Sequence, residues 1–263
     1  MPNCPILVIP DVHQDYAFYV RCMALISGRD IGEVILLGDL LDAKTASGKL
    51  ISSVRSLLHS VDRLFHRSQI PVTLLWGNHD WKYWGFRRKI EEIGKKAESH
   101  FKFFANYDLS IQTTGVLTEE IDDTGRCPFD LWSRAELVTG RYGWLISHAG
   151  VHSSLWPAGA DLEDGVGRLN AEMKRLAMDP FSDWKNPLLG AGPARGGSDA
   201  VGGPLWQDFL QEFTDDLPFP QIVGHTRTPE VLREGRSYCL DACQQVCGIL
   251  HPDSTLEVVE VGI

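Results

Sequence analysis

The chain predicts an α/β fold, and three observations carry that prediction. Short apolar runs rich in β-formers, at 6–10, 33–37 and 69–76, alternate with two stretches whose apolar residues fall at helical spacing. The intervals between the runs are long enough for crossover helices, the connection that parallel neighbours need. Each run also stops abruptly at a polar cluster, so core strands end in imidazole, amide and carboxylate groups where α/β folds bind ligands.

Taken in order, 6–10 is a first buried strand with Asp11-Val12-His13 just past it. Residues 16–27 space Phe18, Val20, Met23 and Ile26 as a helix that stops at Gly28. The second strand, 33–37, is followed by Gly38-Asp39-Leu40-Leu41-Asp42. Residues 50–65 form an amphipathic helix with Val54, Leu57, Leu58, Val61 and Leu64 on one face. The third strand, 69–76, hands over at once to Gly77-Asn78-His79-Asp80. From 81 to 99 the chain is charged and helical, a solvated face, and 109–117 reads as a strand. Residues 141–147 are a strand by their Trp144-Leu145-Ile146 core and run into His148-Ala149-Gly150. One domain over 1–263 is expected, with an insertion-like segment around 151–220. That segment holds helical stretches at 168–177 and around 205–213, separated by the glycine-rich run 190–197. Residues 221–223 are a short strand ending in Gly224-His225. Three closing runs, 237–241, 245–250 and 256–261, predict an antiparallel sheet.

Composition is that of an ordinary globular chain, 43% hydrophobic and 23% charged, which argues against wholesale disorder. A formal net charge of -10 gives no general attraction to nucleic-acid phosphates, so a nucleic-acid scaffold is not an expected partner. Small anionic substrates stay compatible, because a bound cation inverts the local field. No apolar run approaches the ~18 residues of a membrane span, and the N-terminal run is too short for a signal peptide. A cytoplasmic protein with six free thiols is therefore expected. Cys239, Cys243 and Cys247 recur every four residues, and their strand-like surroundings predict buried cysteines on one sheet face rather than a metal site.

Five strand ends share one pattern: Asp11 and His13; Asp39 and Asp42; Asn78 and His79; His148; His225. Alone, each fragment has an ordinary reading as a cap, a surface pair or a satisfied core histidine. Together, four of nine histidines and three carboxylates at successive strand ends would be costly to bury unpaired. Divalent cations in a shared pocket would compensate them. Imidazole, carboxylate and amide oxygen without thiolate suit manganese, iron, zinc or cobalt. The ligands exceed what one ion needs. Two ions about 3.5–4 Å apart, sharing a carboxylate and a water, would use them all and are suited to hydrolysing a phosphate ester.

In chain order, Asp11-x-His13, Gly38-Asp39-x-x-Asp42, Gly77-Asn78-His79-Asp80, His148 and Gly224-His225 resemble the signature of calcineurin-like metallophosphoesterases. The resemblance implies a four-layer α/β/β/α sandwich with mixed sheets and a dinuclear centre at the carboxyl ends of the strands. It implies that Asp11 and His13 hold a first metal, that Asp39 bridges, and that Asn78, His148 and His225 hold a second. His79 would be the general acid at the leaving group, with Asp42 orienting its ring, since a carboxylate fixes the tautomer and stabilises the imidazolium.

Three details narrow the resemblance. Gly224-His225-Thr226-Arg227 lacks the second histidine of the Gly-His-x-His that many nuclease- and diesterase-like members carry. With Ser147-His148-Ala149-Gly150-Val151 and Gly202-Gly203-Pro204-Leu205-Trp206, it looks more like the phosphoprotein phosphatase branch, which includes bacterial members and diadenosine polyphosphate hydrolases. That branch carries Asp-Arg-Gly at the second motif, where the arginine clamps phosphate; here Asp42 is followed by Ala43-Lys44. Lys44 supplies charge without a bidentate fork. Arg227 and Arg195 are the other candidates. For Arg227 a structural role weighs as much as a phosphate contact, and for Arg195 a surface role weighs more.

The leading expectation is a phosphatase acting on phosphomonoesters with two divalent ions, manganese first, with iron, zinc, cobalt or magnesium as alternatives. A dinucleoside polyphosphate pyrophosphohydrolase comes second and a protein serine/threonine phosphatase third. The expected partner is thus a phosphorylated small molecule, a nucleotide or a phosphoprotein. A catalytically silent scaffold on the same fold should have lost ligands that this chain keeps. Trp81, Tyr83, Trp84, Trp156 and Trp184 offer either stacking on a nucleobase or packing, with packing favoured, and Asp80 is read as a local cap of the helix after it.

Overall fold

The first strands are apolar on both sides, and the computed structural model, which describes residues 3–43, 51–87, 89–90, 109–119, 126–180 and 182–262, gives the reason. In β1 (Ile6–Ile9), Ile6 and Val8 face a core between two sheets, whereas Leu7 and Ile9 face an outer layer of helices. Alternate side chains leave a strand on opposite faces, so a strand covered on both has no polar side. After β1, α1 (Tyr16–Ala24) is opened by the Asp15 carboxylate, which accepts the Phe18 N–H at 2.9 Å. A 3-10 turn (Leu25–Gly28) then closes it. β2 (Glu33–Leu36) repeats the division, with Ile35 toward the sheet seam and Val34 and Leu36 toward the helices. α2 (Ile51–Arg67) buries Val54, Leu57, Leu58 and Val61, and β3 (Val72–Leu74) follows. β1 pairs with β2 and β2 with β3 in parallel, as the connections predict.

Next come α3 (Asn78–Gly85), α4 (Ile111–Leu117), β4 (Val138–Arg141), β5 (Trp144–Ser147), α5 (Leu162–Met178), β6 (Gln221–Val223), β7 (Leu232–Glu234), β8 (Ser237–Cys239), β9 (Val246–Leu250) and β10 (Leu256–Glu260). One sheet has the order β10-β9-β1-β2-β3 and the other β4-β5-β6-β8-β7, and both are mixed. Ile35, Leu37 and Leu75 of the first meet Ile146, Ile222 and Leu240 of the second in the seam. With helices outside, this is the expected four-layer α/β/β/α arrangement. No described helix is long and apolar enough to cross a membrane.

Several local expectations are corrected. Residues 109–117 are not a strand. Ser110 caps α4, its hydroxyl accepting the Thr113 N–H at 3.2 Å, and Thr113, Thr114, Val116 and Leu117 turn inward. The run 141–147 is the second half of a hairpin: Tyr142 and Gly143 have φ of 50° and 82°, the left-handed pair of a tight β-turn. Around 205–213 the chain forms turns rather than a helix, because the Glu212 carboxylate gathers the N–H groups of Ala194 and Gly202 at 3.0 Å and Asp208 at 3.3 Å. The closing strands do not form one sheet: β9 and β10 extend the first sheet antiparallel, while β8 runs parallel to β6 in the second. Cys239 and Cys247 therefore lie in different sheets, with Cys243 in the turn between, and not on one face. Of the expected helix 81–99, residues 88 and 91–99 lie outside the described residues.

Candidate active site

The polar residues after β1, β2, β3, β5 and β6 meet at the carboxyl ends of the two sheets. The backbone ties them first. Val12 and His13 donate their N–H groups to the Asp39 carbonyl at 3.1 and 2.8 Å, so the ends of β1 and β2 are fixed to each other. The Asp39 carboxylate accepts the His79 N–H at 2.8 Å, and the Asp11 carboxylate accepts the His225 N–H at 3.1 and 3.0 Å. Each acid is thereby anchored on the backbone of another motif. A Cβ on Gly77 would overlap Asp39, and one on Gly224 would overlap the Asp11 carboxylate, which is why glycine precedes Asn78 and His225. His13, Asp39, Asp42 and His225 all adopt left-handed backbone, with φ of 45°, 47°, 58° and 67°. Side-chain residues take that conformation only where the surroundings hold it.

Two groups of ligand atoms result, each within 4.8 Å: Asp11, His13 and Asp39; and Asp39, His148 and His225. All five residues are buried, as is Asn78. His148 Nε2 lies 3.0 Å from Asn78 Oδ1, 3.2 Å from His225 Nδ1 and 3.6 Å from Asp39 Oδ2. His148 Nδ1 faces the Leu37 carbonyl at 3.0 Å, and His13 Nδ1 faces the Leu41 and Asp42 carbonyls at 3.1 and 2.9 Å. Carbonyls only accept, so in each neutral ring Nδ1 carries the proton and Nε2 presents a lone pair inward. Lone pairs then face carboxylate and amide oxygens in a buried space, an arrangement that cations balance. The donor set fits divalent metal ions of the borderline class.

Burial alone would raise the Asp39 carboxyl, but the imidazoles of His148, His79, His13 and His225 outweigh it and hold it well below the usual range. Asp42 is also held low, the bonds from His79 and Lys82 overcoming its burial. Its Oδ2 lies 2.9 Å from His79 Nδ1 and 2.5 Å from Lys82 Nζ, and its Oδ1 accepts the Tyr83 hydroxyl at 2.6 Å. His79 and Asp42 keep 18% and 16% of their side-chain surface open, against 2% or less for Asp11, His13, Asp39 and His148. The pair thus stands at the mouth of the buried cluster, with the His79 ring edge-on to His13 at 5.2 Å.

Asp80 does something other than cap α3. It lies in the first turn, and its carboxylate crosses to the N–H groups of Leu40 and Leu41, at 3.1 and 3.2 Å, pinning the loop between Asp39 and Asp42. Arg195 lies 3.0 Å from Asp208 and 3.1 Å from the Thr226 hydroxyl, next to His225, so it is tied down rather than free on the surface. Arg227 leans on Cys243 Sγ and Gln244 Oε1, both at 3.3 Å. Lys44 lies outside the described residues. Lys82 and Tyr83, which sequence reading left out of the site, could have been found from α3 itself, because residues three and four after His79 share its helical face.

Two facing mixed sheets with aspartates, histidines and an asparagine at their strand ends define the metallophosphoesterase class. The chain belongs to the calcineurin-like phosphoesterase family, whose profile matches residues 4–229. It is accordingly a hydrolase acting on phosphoric esters, and the family implies divalent metal ions and phosphorylated substrates. No curated protein matches the chain. Among solved structures it is similar to a cold-active protein-tyrosine phosphatase of a psychrophilic Shewanella species, at 16% identity and a TM-score of 0.55, over 98% of this chain and 81% of that one. A hypothetical protein of Pyrococcus horikoshii is similar at 11% identity and a TM-score of 0.51, over 98% and 88%. At such identities the likeness is one of fold.

Proposed function

We propose that this protein is a phosphatase acting on phosphomonoesters with two divalent metal ions. The observation that carries the proposal is Asp39, whose carboxylate belongs to both ligand groups. In this reading Asp11, His13 and Asp39 hold one ion, and Asp39, Asn78, His148 and His225 hold the other. Manganese is the ion proposed, on a donor set without thiolate. When bound, the ions supply positive charge for the phosphoryl oxygens and make water acidic enough to act as nucleophile near neutral pH.

The remaining work falls to side chains. Asp39 supplies the one carboxylate common to both groups. Backbone carbonyls keep the Nε2 lone pairs of His13 and His148 turned inward. Asp42 holds His79 by Nδ1, leaving Nε2 to give its proton to the leaving-group oxygen. Arg227 and Arg195 are the candidates for a phosphate contact. Two residues after His225, where diesterase-like members carry a further histidine ligand, stands Arg227, which leans on Cys243 Sγ and Gln244 Oε1. This supports a place beside the phosphoprotein phosphatase branch.

Turnover of p-nitrophenyl phosphate should vanish in EDTA and return with manganese. Unchanged turnover in chelator would sink the metal reading. Faster hydrolysis of diadenosine tetraphosphate than of any monoester would replace the substrate class while leaving the site intact.

A further inference from the structure

We propose that Tyr83 is a positioning residue: its phenol fixes the Asp42 carboxylate that holds the His79 ring. The kinetic consequence rests on the reading of His79 as general acid; the geometry does not. Tyr83 follows His79 by four residues on α3, so both side chains leave the same face of one helix. They take different oxygens of one carboxylate, Tyr83 on Oδ1 at 2.6 Å and His79 on Oδ2 at 2.9 Å.

The phenol proton has a defined direction. The Ser110 N–H donates to the Tyr83 oxygen at 2.8 Å, so that oxygen is already an acceptor and its own proton goes to Asp42. Ser110 is the cap of α4, which makes the support a fixed element rather than a loop. Asp42 needs such support, because its φ of 58° is one that the surroundings must hold. Rotation of its carboxylate about Cβ–Cγ would carry Oδ2 away from His79, and the Tyr83 bond blocks that rotation. Lys82, also on Oδ2, adds charge, but a freely rotating ammonium sets no plane. Tyr83 is 1% exposed, so it acts through Asp42 and is out of reach of substrate.

The test compares Tyr83→Phe, His79→Ala and the double variant in the manganese-loaded enzyme, with p-nitrophenyl phosphate as the good leaving group and an alkyl phosphate as the poor one. Tyr83→Phe should lower kcat about 10-fold on the alkyl phosphate, part of the ~10²–10⁴-fold a general acid supplies, with KM unchanged and little loss on p-nitrophenyl phosphate. Adding it to His79→Ala should cost nothing more. Equal losses on both substrates, or a further loss in the double variant, would overturn the proposal while His79→Ala kept its leaving-group dependence. Should His79→Ala itself hit both substrates equally, the general-acid reading fails, and proton NMR of the metal-free protein decides the positioning. There the slowly exchanging downfield His79 Nδ1 proton, assigned by its absence in His79→Ala, should broaden in Tyr83→Phe; an unchanged signal overturns the proposal. If Tyr83→Phe does not fold, the wild-type protein still answers: a protected Tyr83 hydroxyl proton supports the bond to Asp42, and rapid exchange overturns it.

Discussion

The two ligand groups share Asp39 but are built differently. Asp11, His13 and Asp39 follow β1 and β2 of a single sheet and are joined by adjacent backbone bonds to the Asp39 carbonyl. His148 and His225 follow β5 and β6 of the other sheet, and reach the first through His148 Nδ1 on the Leu37 carbonyl and the His225 N–H on Asp11. One group is a property of strand pairing, whereas the other exists only while two sheets stay packed. The geometry that makes a dinuclear centre attainable also makes one half of it depend on the seam.

The strongest test removes what the groups share. Asp39→Asn should lower kcat at least ~10³-fold, about 4 kcal/mol of barrier, and reduce bound manganese below two equivalents. A variant retaining near wild-type kcat would take Asp39 out of the bridging role. A smaller effect separates the halves. Leu75→Ala opens the seam and Leu57→Ala opens the core under α2, each costing ~2–5 kcal/mol of stability. At matched loss of stability, Leu75→Ala should weaken one of the two manganese equivalents in equilibrium dialysis, and Leu57→Ala should weaken neither. Equal weakening by both would mean that the seam has no special hold on the second group.

The same contrast governs what could be read in advance. β1 and β2 are apolar on both faces over most of their length, so they announce themselves, and the polar residues that follow stand out because a core strand has no other reason to end in them. Fold class was legible from that, and the ligand roles came only with the family resemblance. Where a strand pairs is another matter: nothing in 237–250 says that β8 joins one sheet and β9 the other, since alternation fixes a face but not a neighbour. The hairpin at Tyr142-Gly143 escaped notice because tyrosine rarely takes a left-handed φ. Residues 109–117 look like strand by their threonines and valine, and one hydroxyl, that of Ser110, decides for helix. Tyr83 looked like packing because its chemistry depends on Asp42, 41 residues away in sequence.

The smallest predicted effect bears on the surroundings of the shared carboxylate. Burial, and then the Asp39 carboxylate, push the Asp80 carboxyl well above its usual range, against the lowering effect of the Leu40 and Leu41 N–H bonds. For an acid with a raised folded pKa the unfolded chain gives up its proton first. The resulting cost is absent below the unfolded value of ~3.9 and grows as pH rises toward the folded one. Asp39 and Asp42 act in the opposite sense: their stabilisation is present above the unfolded value and is lost as pH falls through their lower folded values. Asp80→Asn keeps an oxygen for Leu40 and Leu41 but removes the buried charge beside Asp39. In EDTA at pH 7 it should raise Tm by ~2–4 °C, for a gain of about 1 kcal/mol, and the gain should disappear as pH falls toward 4. Manganese should shrink it too, since a cation at Asp39 screens the charge that Asp80 meets. A lower Tm at pH 7 would instead mean that the Asp80 charge, and not merely its oxygen, holds the loop from Asp39 to Asp42.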